Sequence, residues 1–265
     1  MKIYEILDSE MKQAVGVLQY YEKEQTYIIE LQEYLDEWSA PLLFTSYVRR
    51  NIYTIPRDIS FLWVKERVIP SGRQNINEIL NNNRLVRYDE MKMLEISSGR
   101  CSQDHLYIKE LDCLPEFVKK RKQHNLIDCV LSEKNTVVCF FKDGTVKKIA
   151  LDQLTEVDGV DKVMKNTALF ESGEVGTDGY CLTFNQSIDV PVKKLYEIEE
   201  ALPIKKTDFD NFVRKNILDT TDTCDILECT RQNVAYMVKK QMLSPIKTEV
   251  KGNLYLKGDV LKNKW

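Results

Sequence analysis

The hydrophobic period of this chain changes several times along its length, and that constrains the fold more than any other feature. Residues 14–31, Ala-Val-Gly-Val-Leu-Gln-Tyr-Tyr-Glu-Lys-Glu-Gln-Thr-Tyr-Ile-Ile-Glu-Leu, alternate apolar and polar on either side of a charged Glu22-Lys-Glu-Gln turn, the pattern of an antiparallel hairpin. From Leu43 to Ile52 and from Ile59 to Val68 the apolar spacing becomes three and four, with Pro56 and Pro70 as helix boundaries. Asn75 to Leu80 and Tyr88 to Ile96 continue as short helices. Short β-branched and aromatic runs then return: Asp128-Cys-Val-Leu-Ser, Thr136-Val-Val-Cys-Phe-Phe, Val146-Lys-Lys-Ile-Ala-Leu and Tyr180-Cys-Leu-Thr-Phe, with Lys142-Asp-Gly-Thr as a tight turn. Asp152 to Met164 reads as a short acidic helix or loop, and Pro191 opens a closing helix. Leu202-Pro-Ile-Lys-Lys-Thr is a linker, and the remainder is helical followed by one hairpin.

At 265 residues the chain exceeds one typical domain, and 43% apolar residues are enough to build cores. No run of about 18 apolar residues occurs, and the first residues, Met-Lys-Ile-Tyr-Glu-Ile-Leu-Asp, are acidic where a signal peptide needs an apolar stretch. No membrane partner is expected. The seven cysteines, Cys101, Cys113, Cys129, Cys139, Cys181, Cys224 and Cys229, sit mostly inside apolar patterns, which suits reduced thiols and a cytoplasmic location. Net charge is only −3, yet residues 231–265 hold 8 basic and 2 acidic side chains, so this end carries +6 and the preceding 230 residues −9. That distribution restores nucleic acid to the list of partners.

The basic end has its own pattern. Thr220 or Thr221 is placed to cap a helix contributing Cys224, Ile226 and Leu227 to a core, and Thr230 to cap a second helix three residues later. On the second helix Val234, Met237 and Val238 fall on one side, with Gln232, Ala235, Tyr236 and Lys239 opposite. Two short helices joined by three residues form a helix-turn-helix pattern. Lys247-Thr-Glu-Val, Lys251-Gly-Asn and Leu254-Tyr-Leu then make a hairpin, and Lys257-Gly-Asp-Val-Leu-Lys begins a last helix.

This stretch, from Leu218-Asp-Thr-Thr-Asp-Thr-Cys-Asp-Ile-Leu-Glu-Cys-Thr-Arg-Gln-Asn-Val through Met242-Leu-Ser-Pro to Asn253-Leu-Tyr-Leu-Lys-Gly-Asp-Val, resembles the excisionase-like winged helix-turn-helix domains related to the MerR family. The resemblance implies that Thr230, Arg231, Gln232 and Tyr236 meet the major groove of double-stranded DNA. It implies backbone or wing contacts for Lys239, Lys247, Lys251 and Asn253. Where the family usually has Gly, this chain has Glu228 in the turn and Gln241 after the second helix; the turn is either built differently or holds Glu228 in left-handed strain of about 1 kcal/mol.

The middle segment, with Lys142-Asp-Gly-Thr-Val, Tyr180-Cys-Leu-Thr-Phe, Ile188-Asp-Val-Pro and Leu195-Tyr, resembles a small bacterial domain family of unknown function, a three- or four-stranded sheet ending in a helix. Trp63-Val-Lys-Glu-Arg-Val-Ile-Pro-Ser-Gly-Arg and Ser97-Ser-Gly-Arg-Cys-Ser-Gln-Asp-His resemble a helical module that precedes HipA-like kinase domains. That implies a link to toxin–antitoxin or mobile-element biology, without the kinase itself, because no phosphate-cradling Gly-rich loop is present. Arg67, Arg73, Arg84 and Arg87 read as partners of local acids.

Cys101-x-x-Asp104-His105 invites a nucleophile and base, but no third group is placed to orient either, so a surface loop is the reading taken. Cys224 and Cys229 lack zinc-pair spacing. The expectation is therefore an α+β multidomain protein that is not an enzyme, with no catalytic residues, metal or cofactor. Residues 1–122 form a mostly helical domain with a leading β-hairpin, 126–200 a small sheet domain with a closing helix, and 205–265 a winged helix-turn-helix. The expected function is sequence-specific binding of double-stranded DNA by a transcriptional regulator or antitoxin-like autorepressor, acting as a homodimer. The alternative is an interaction protein that binds a partner enzyme through residues 1–122.

Overall fold

The computed structural model describes residues 1–133, 135–199, 201–250 and 252–264, without the side chains of residues 249 and 250. The chain is a mixed α/β protein that divides into two compact units, Met1–Lys119 and Lys120–Trp265.

The first unit is built on an antiparallel sheet of β1 (Lys2–Asp8), β2 (Gln13–Tyr21), β3 (Thr26–Leu31), β4 (Thr54–Ile55) and β5 (Leu106–Glu110), in the order β4-β3-β2-β1-β5. The hairpin read from residues 14–31 is its centre, with Tyr21 opposite Thr26 at the turn. Helices α1 (Thr45–Val48), α2 (Arg57–Lys65), α3 (Ile76–Asn82) and α4 (Glu90–Ile96) follow the spacing found in the sequence. Trp63 and Val64 of α2 and Met91 and Leu94 of α4 bury against Tyr4, Ile6, Leu18 and Ile29. Helix α5 (Glu116–Arg121) sets Val118 on Ile3 and Val17, so both faces of the sheet are covered.

This unit is thus more β than the expected helical domain. Strands β1 and β5 pair from Tyr4 opposite Glu110 to Asp8 opposite Leu106, and neither was visible as a strand in the sequence. The Leu43–Ile52 helix is a single α turn after a 3₁₀ turn at Leu42–Phe44, because the chain must return by Thr54–Ile55 to pair with β3.

The second unit begins with the meander β6 (Leu126–Ser132), β7 (Thr136–Phe141) and β8 (Val146–Ala150). The Lys142–Thr145 segment is the tight β7–β8 turn, where Gly144 takes φ of +90° and Asp143 accepts from the Thr145 amide at 2.9 Å. Helices α6 (Val160–Lys165) and α7 (Thr167–Glu171) lead into a second sheet of β9 (Gly173–Val175), β10 (Cys181–Phe184) and β11 (Ile188–Pro191), closed by α8 (Val192–Tyr196). Phe141, Ile149, Leu151, Val163, Leu182, Phe184 and Leu195 share one apolar core. Then come α9 (Lys206–Asn216), β12 (Ile217–Leu218), α10 (Thr220–Leu227), α11 (Arg231–Lys239), β13 (Lys247–Val250), β14 (Gly252–Leu256) and α12 (Lys257–Lys262). A second, smaller core gathers Leu218, Leu227, Val234, Leu243, Tyr255 and Val260.

A polar seam joins the two cores of this unit. Asp208 on α9 accepts from the Lys148 ammonium at 2.7 Å, from the Lys205 amide at 2.7 Å and from the Ser132 hydroxyl. Asn216 at the end of α9 donates to the Asp128 carboxylate and to the Cys129 carbonyl at 3.3 Å. Burial pushes the Asp128 carboxyl up, and the bonds from Asn216 and the amides of Cys129 and Gly258 offset only part of that rise. Gly258 on α12 lies so close to β6 that a Cβ there would meet the Ile127 carbonyl oxygen at 2.8 Å. Phe212 on α9 packs on Phe140, with ring centroids 4.9 Å apart.

Candidate nucleic-acid interface

Helix α10 begins at Asp219, whose carboxylate accepts from the amides of Thr221 at 2.6 Å and Asp222 at 2.9 Å, while Asp222 accepts from the Asp219 amide at 3.2 Å. The cap is therefore Asp219 and not Thr220 or Thr221, since its carboxylate accepts from two orphan amides at once. Thr223 is fully buried and returns its hydroxyl to the Asp219 carbonyl at 2.7 Å.

The helix stops at Glu228, which adopts φ 51°, ψ 44°. The Cys229 amide reaches back to the Cys224 carbonyl at 3.0 Å and the Glu228 amide to that of Asp225 at 3.3 Å. This is a Schellman turn with a glutamate in its left-handed position. Helix α11 ends the same way. Gln241 has φ 59°, the Met242 amide bonds the Met237 carbonyl at 2.9 Å, and the Gln241 amide bonds that of Val238 at 3.0 Å. The two positions where the sequence departs from glycine are thus both left-handed, and the turn geometry is kept at the cost of strain.

Thr230 caps α11, accepting from the Asn233 amide at 3.3 Å. Val234 is buried and Met237 and Val238 are half-buried against the small core, which leaves Arg231, Gln232, Ala235, Tyr236 and Lys239 in solvent. Arg231 donates from its guanidinium to the Thr221 hydroxyl at 3.1 Å, so the side chain is held across the turn toward α10. Tyr236 is 54% exposed, and the Lys240 ammonium lies 5.8 Å from its ring centre. One helix face therefore presents a guanidinium, an amide, a phenol and ammonium groups together. Asn233 and Lys240, both exposed, belong to the same surface and were missed; the Lys239-Lys240 pair was the available signal.

On the β13–β14 hairpin, Lys247 is exposed opposite Leu254. Asn253 is half-buried and donates to the Tyr255 hydroxyl at 3.3 Å, so its amide is partly engaged within the hairpin. Lys251 lies outside the described residues. Asp219, Asp222, Asp225 and Glu228 are exposed along α10 and carry the opposite charge to α11.

In the first unit, Asp104 pairs with Arg67, accepts from the Leu106 amide at 3.1 Å and lies 3.6 Å from the Cys101 sulfur. His105 faces Glu10 at 3.3 Å rather than the cysteine. Among the described residues, no group of three or more His, Cys, Asp and Glu side chains is placed to hold a metal ion, and no helix is long and apolar enough to cross a membrane. Comparison with known proteins yields no match to a family model, a curated protein or a solved structure.

Proposed function

We propose that residues 205–265 form a winged helix-turn-helix that binds duplex DNA, with α11 in the major groove and the β13–β14 hairpin as the wing. The observation that carries this reading is the exposed row Arg231, Gln232, Tyr236 and Lys239 on a capped helix whose other side is anchored in a core. Guanidinium and amide groups at a helix surface suit bidentate contacts to purine edges, and the lysines suit phosphates. The acids along α10 repel phosphate, so affinity leans on α11 and the hairpin. A role as transcriptional regulator or antitoxin-like autorepressor of a bacterial or mobile-element operon fits such a module, with two copies reading two half-sites.

The test is selection of sites from a random duplex pool by the full chain, followed by binding titrations across salt concentrations. Arg231→Ala and Lys239→Ala are expected to weaken binding at least tenfold. A chain that shows no salt-dependent duplex binding, or variants that bind as wild type, defeats the reading.

A second reading assigns a protein partner to the first unit, and it is favoured by Trp38 and Leu42, which are 87% and 93% exposed. Co-expression with the product of a neighbouring gene tests it: a Trp38→Ser/Leu42→Ser variant should lose the partner that wild type retains.

A further inference from the structure

In the first unit, helix α4 and the end of the β1–β5 pair frame an open cleft of about 480 Å³. Lys2 and Tyr4 alternate along β1 and Ile108 and Glu110 along β5, with Tyr4 directly opposite Glu110, so these four side chains share the face that α4 covers. Helix α4 adds Lys92 and Glu95, three residues apart on one side of the helix. Beyond its end, Ser98 at φ 52° and Gly99 at φ 69° turn the chain back onto β5, where the Ile108 amide donates to the Ser98 carbonyl at 2.8 Å. A Cβ on Gly99 would come within 2.9 Å of the Ile108 Cγ2, so the turn is pressed onto the strand. The walls of the cleft are thus set by a sheet pairing and a fixed helix end.

Its charges are arranged in two groups. Lys2 at 2.7 Å and the Tyr4 hydroxyl at 2.7 Å both donate to Oε1 of Glu95, and Lys92 donates to Oε2 at 3.0 Å. Glu95 therefore has both oxygens occupied and holds two ammonium groups on one wall. Each ammonium has three N–H donors and spends one on Glu95, which leaves donors for a further acceptor. Glu110 is exposed at the strand end, and among the described residues no cation lies within ion-pair distance of it. Two ammonium and two carboxylate groups line the cleft, so a bare anion meets Glu110 and a bare cation meets the lysines. A small molecule carrying both charges a few ångströms apart satisfies both walls, and the volume suits a small-molecule site.

We propose that this cleft binds a free α-amino acid as its zwitterion. Lys2 and Lys92 receive the ligand carboxylate, Glu110 receives the ligand ammonium, and the ligand side chain lies toward Ile108. The assignment concerns the first unit alone and is independent of the duplex-binding reading.

Calorimetric titration of the full chain tests it, using the standard free α-amino acids, the amide and N-acetyl derivative of each, and inorganic phosphate. At least one free amino acid is expected to bind one-to-one and to raise the melting temperature. Its amide lacks the carboxylate and its N-acetyl form lacks the ammonium, so each should bind at least about tenfold more weakly. Lys92→Gln and Glu110→Gln, both at exposed positions, should each weaken the free amino acid by about tenfold or more, while Lys165→Gln, exposed on α6, should leave its affinity alone. Melting transitions without ligand check that every variant is folded. If no free amino acid binds at millimolar concentration, the proposal fails. If phosphate or the N-acetyl form binds as tightly as the free amino acid, the cleft recognises anions only and the zwitterion assignment is wrong. If Lys92→Gln and Glu110→Gln both bind as wild type, the ligand sits elsewhere and the cleft is not its site.

Discussion

Lys148 on β8 and Asp208 on α9 meet at 2.7 Å with only 8% and 2% of their side chains exposed. Burial alone would push the Asp208 carboxyl up, but bonds from Lys148, Ser132 and the Lys205 amide outweigh it and hold the pKa below the usual range. Removing one partner strands a charge, whereas removing both does not. Asp208→Asn should therefore cost about 3–5 kcal/mol, and Lys148→Met/Asp208→Leu should recover much of that loss. Urea melts of the full chain decide it: equal losses in the single and double variants would show that the charge pair is not the cause. Because the folded pKa is lowered, this stabilisation is present above the ordinary Asp range and disappears as pH falls through the folded value. Asp208→Asn should accordingly flatten the acid limb of the stability profile.

The left-handed residues Glu228 and Gln241 invite substitution. Glycine adopts that conformation freely, so Glu228→Gly and Gln241→Gly should each stabilise the unit by up to about 1 kcal/mol, after allowance for the extra freedom glycine gives the unfolded chain. A rise in melting temperature of a few degrees is the readout. A fall in both variants would mean that the native side chains make compensating contacts. Glu228→Gly also removes an exposed acid beside α11, so it should tighten binding to the proposed duplex.

A second pH dependence belongs to the first unit. Burial tends to raise the Glu95 carboxyl, but Lys2 at 2.7 Å, the Tyr4 hydroxyl at 2.7 Å and Lys92 at 3.0 Å prevail and bring it from 4.5 to about 2. The sign follows that of Asp208: stabilisation is full above about pH 4.5 and is lost toward pH 2. Glu95→Gln should lower stability at neutral pH and leave it nearly unchanged at pH 2. A parallel shift of the whole profile would show that the carboxylate charge is not involved.

The thiols should separate by reactivity. Cys113 is exposed, whereas burial pushes the Cys139 thiol well up and, together with Asp128, raises that of Cys129 to about 12. Since the thiolate is the reactive form, a maleimide at neutral pH should modify Cys113 within minutes and leave Cys129 and Cys139 intact until urea unfolds the chain. Mass mapping after a timed pulse checks this; early labelling of Cys139 would mean that the β6–β7–β8 sheet opens locally.

Local signals carried well from sequence to structure, and long-range ones did not. The Lys142–Thr145 turn, the Thr230 cap and the inward side of Val234, Met237 and Val238 are each decided within a few residues, by turn chemistry or helical period. Strand β1 lies between β2 and β5, and its pairing with β5, about a hundred residues away, leaves no local signal in the sequence. Two-residue strands such as β4 and β12 have no period to read. In the candidate interface the face of α11 was legible, but the grip of Thr221 on Arg231 and the engagement of Asn253 by Tyr255 depend on tertiary geometry. The seam through Asp208 and Asn216 was likewise hidden, since a buried polar residue looks like any surface residue until its partner is placed.

Helix α12 spans about 9 Å at 1.5 Å per residue. It is fastened near its start by the contact of Gly258 with Ile127 and just past its end by the bond from Asn263 to Met242. Fastened at both ends, α12 ties strand β6 of the middle sheet to the segment that follows α11, so the two cores of this unit share one brace as well as the polar seam.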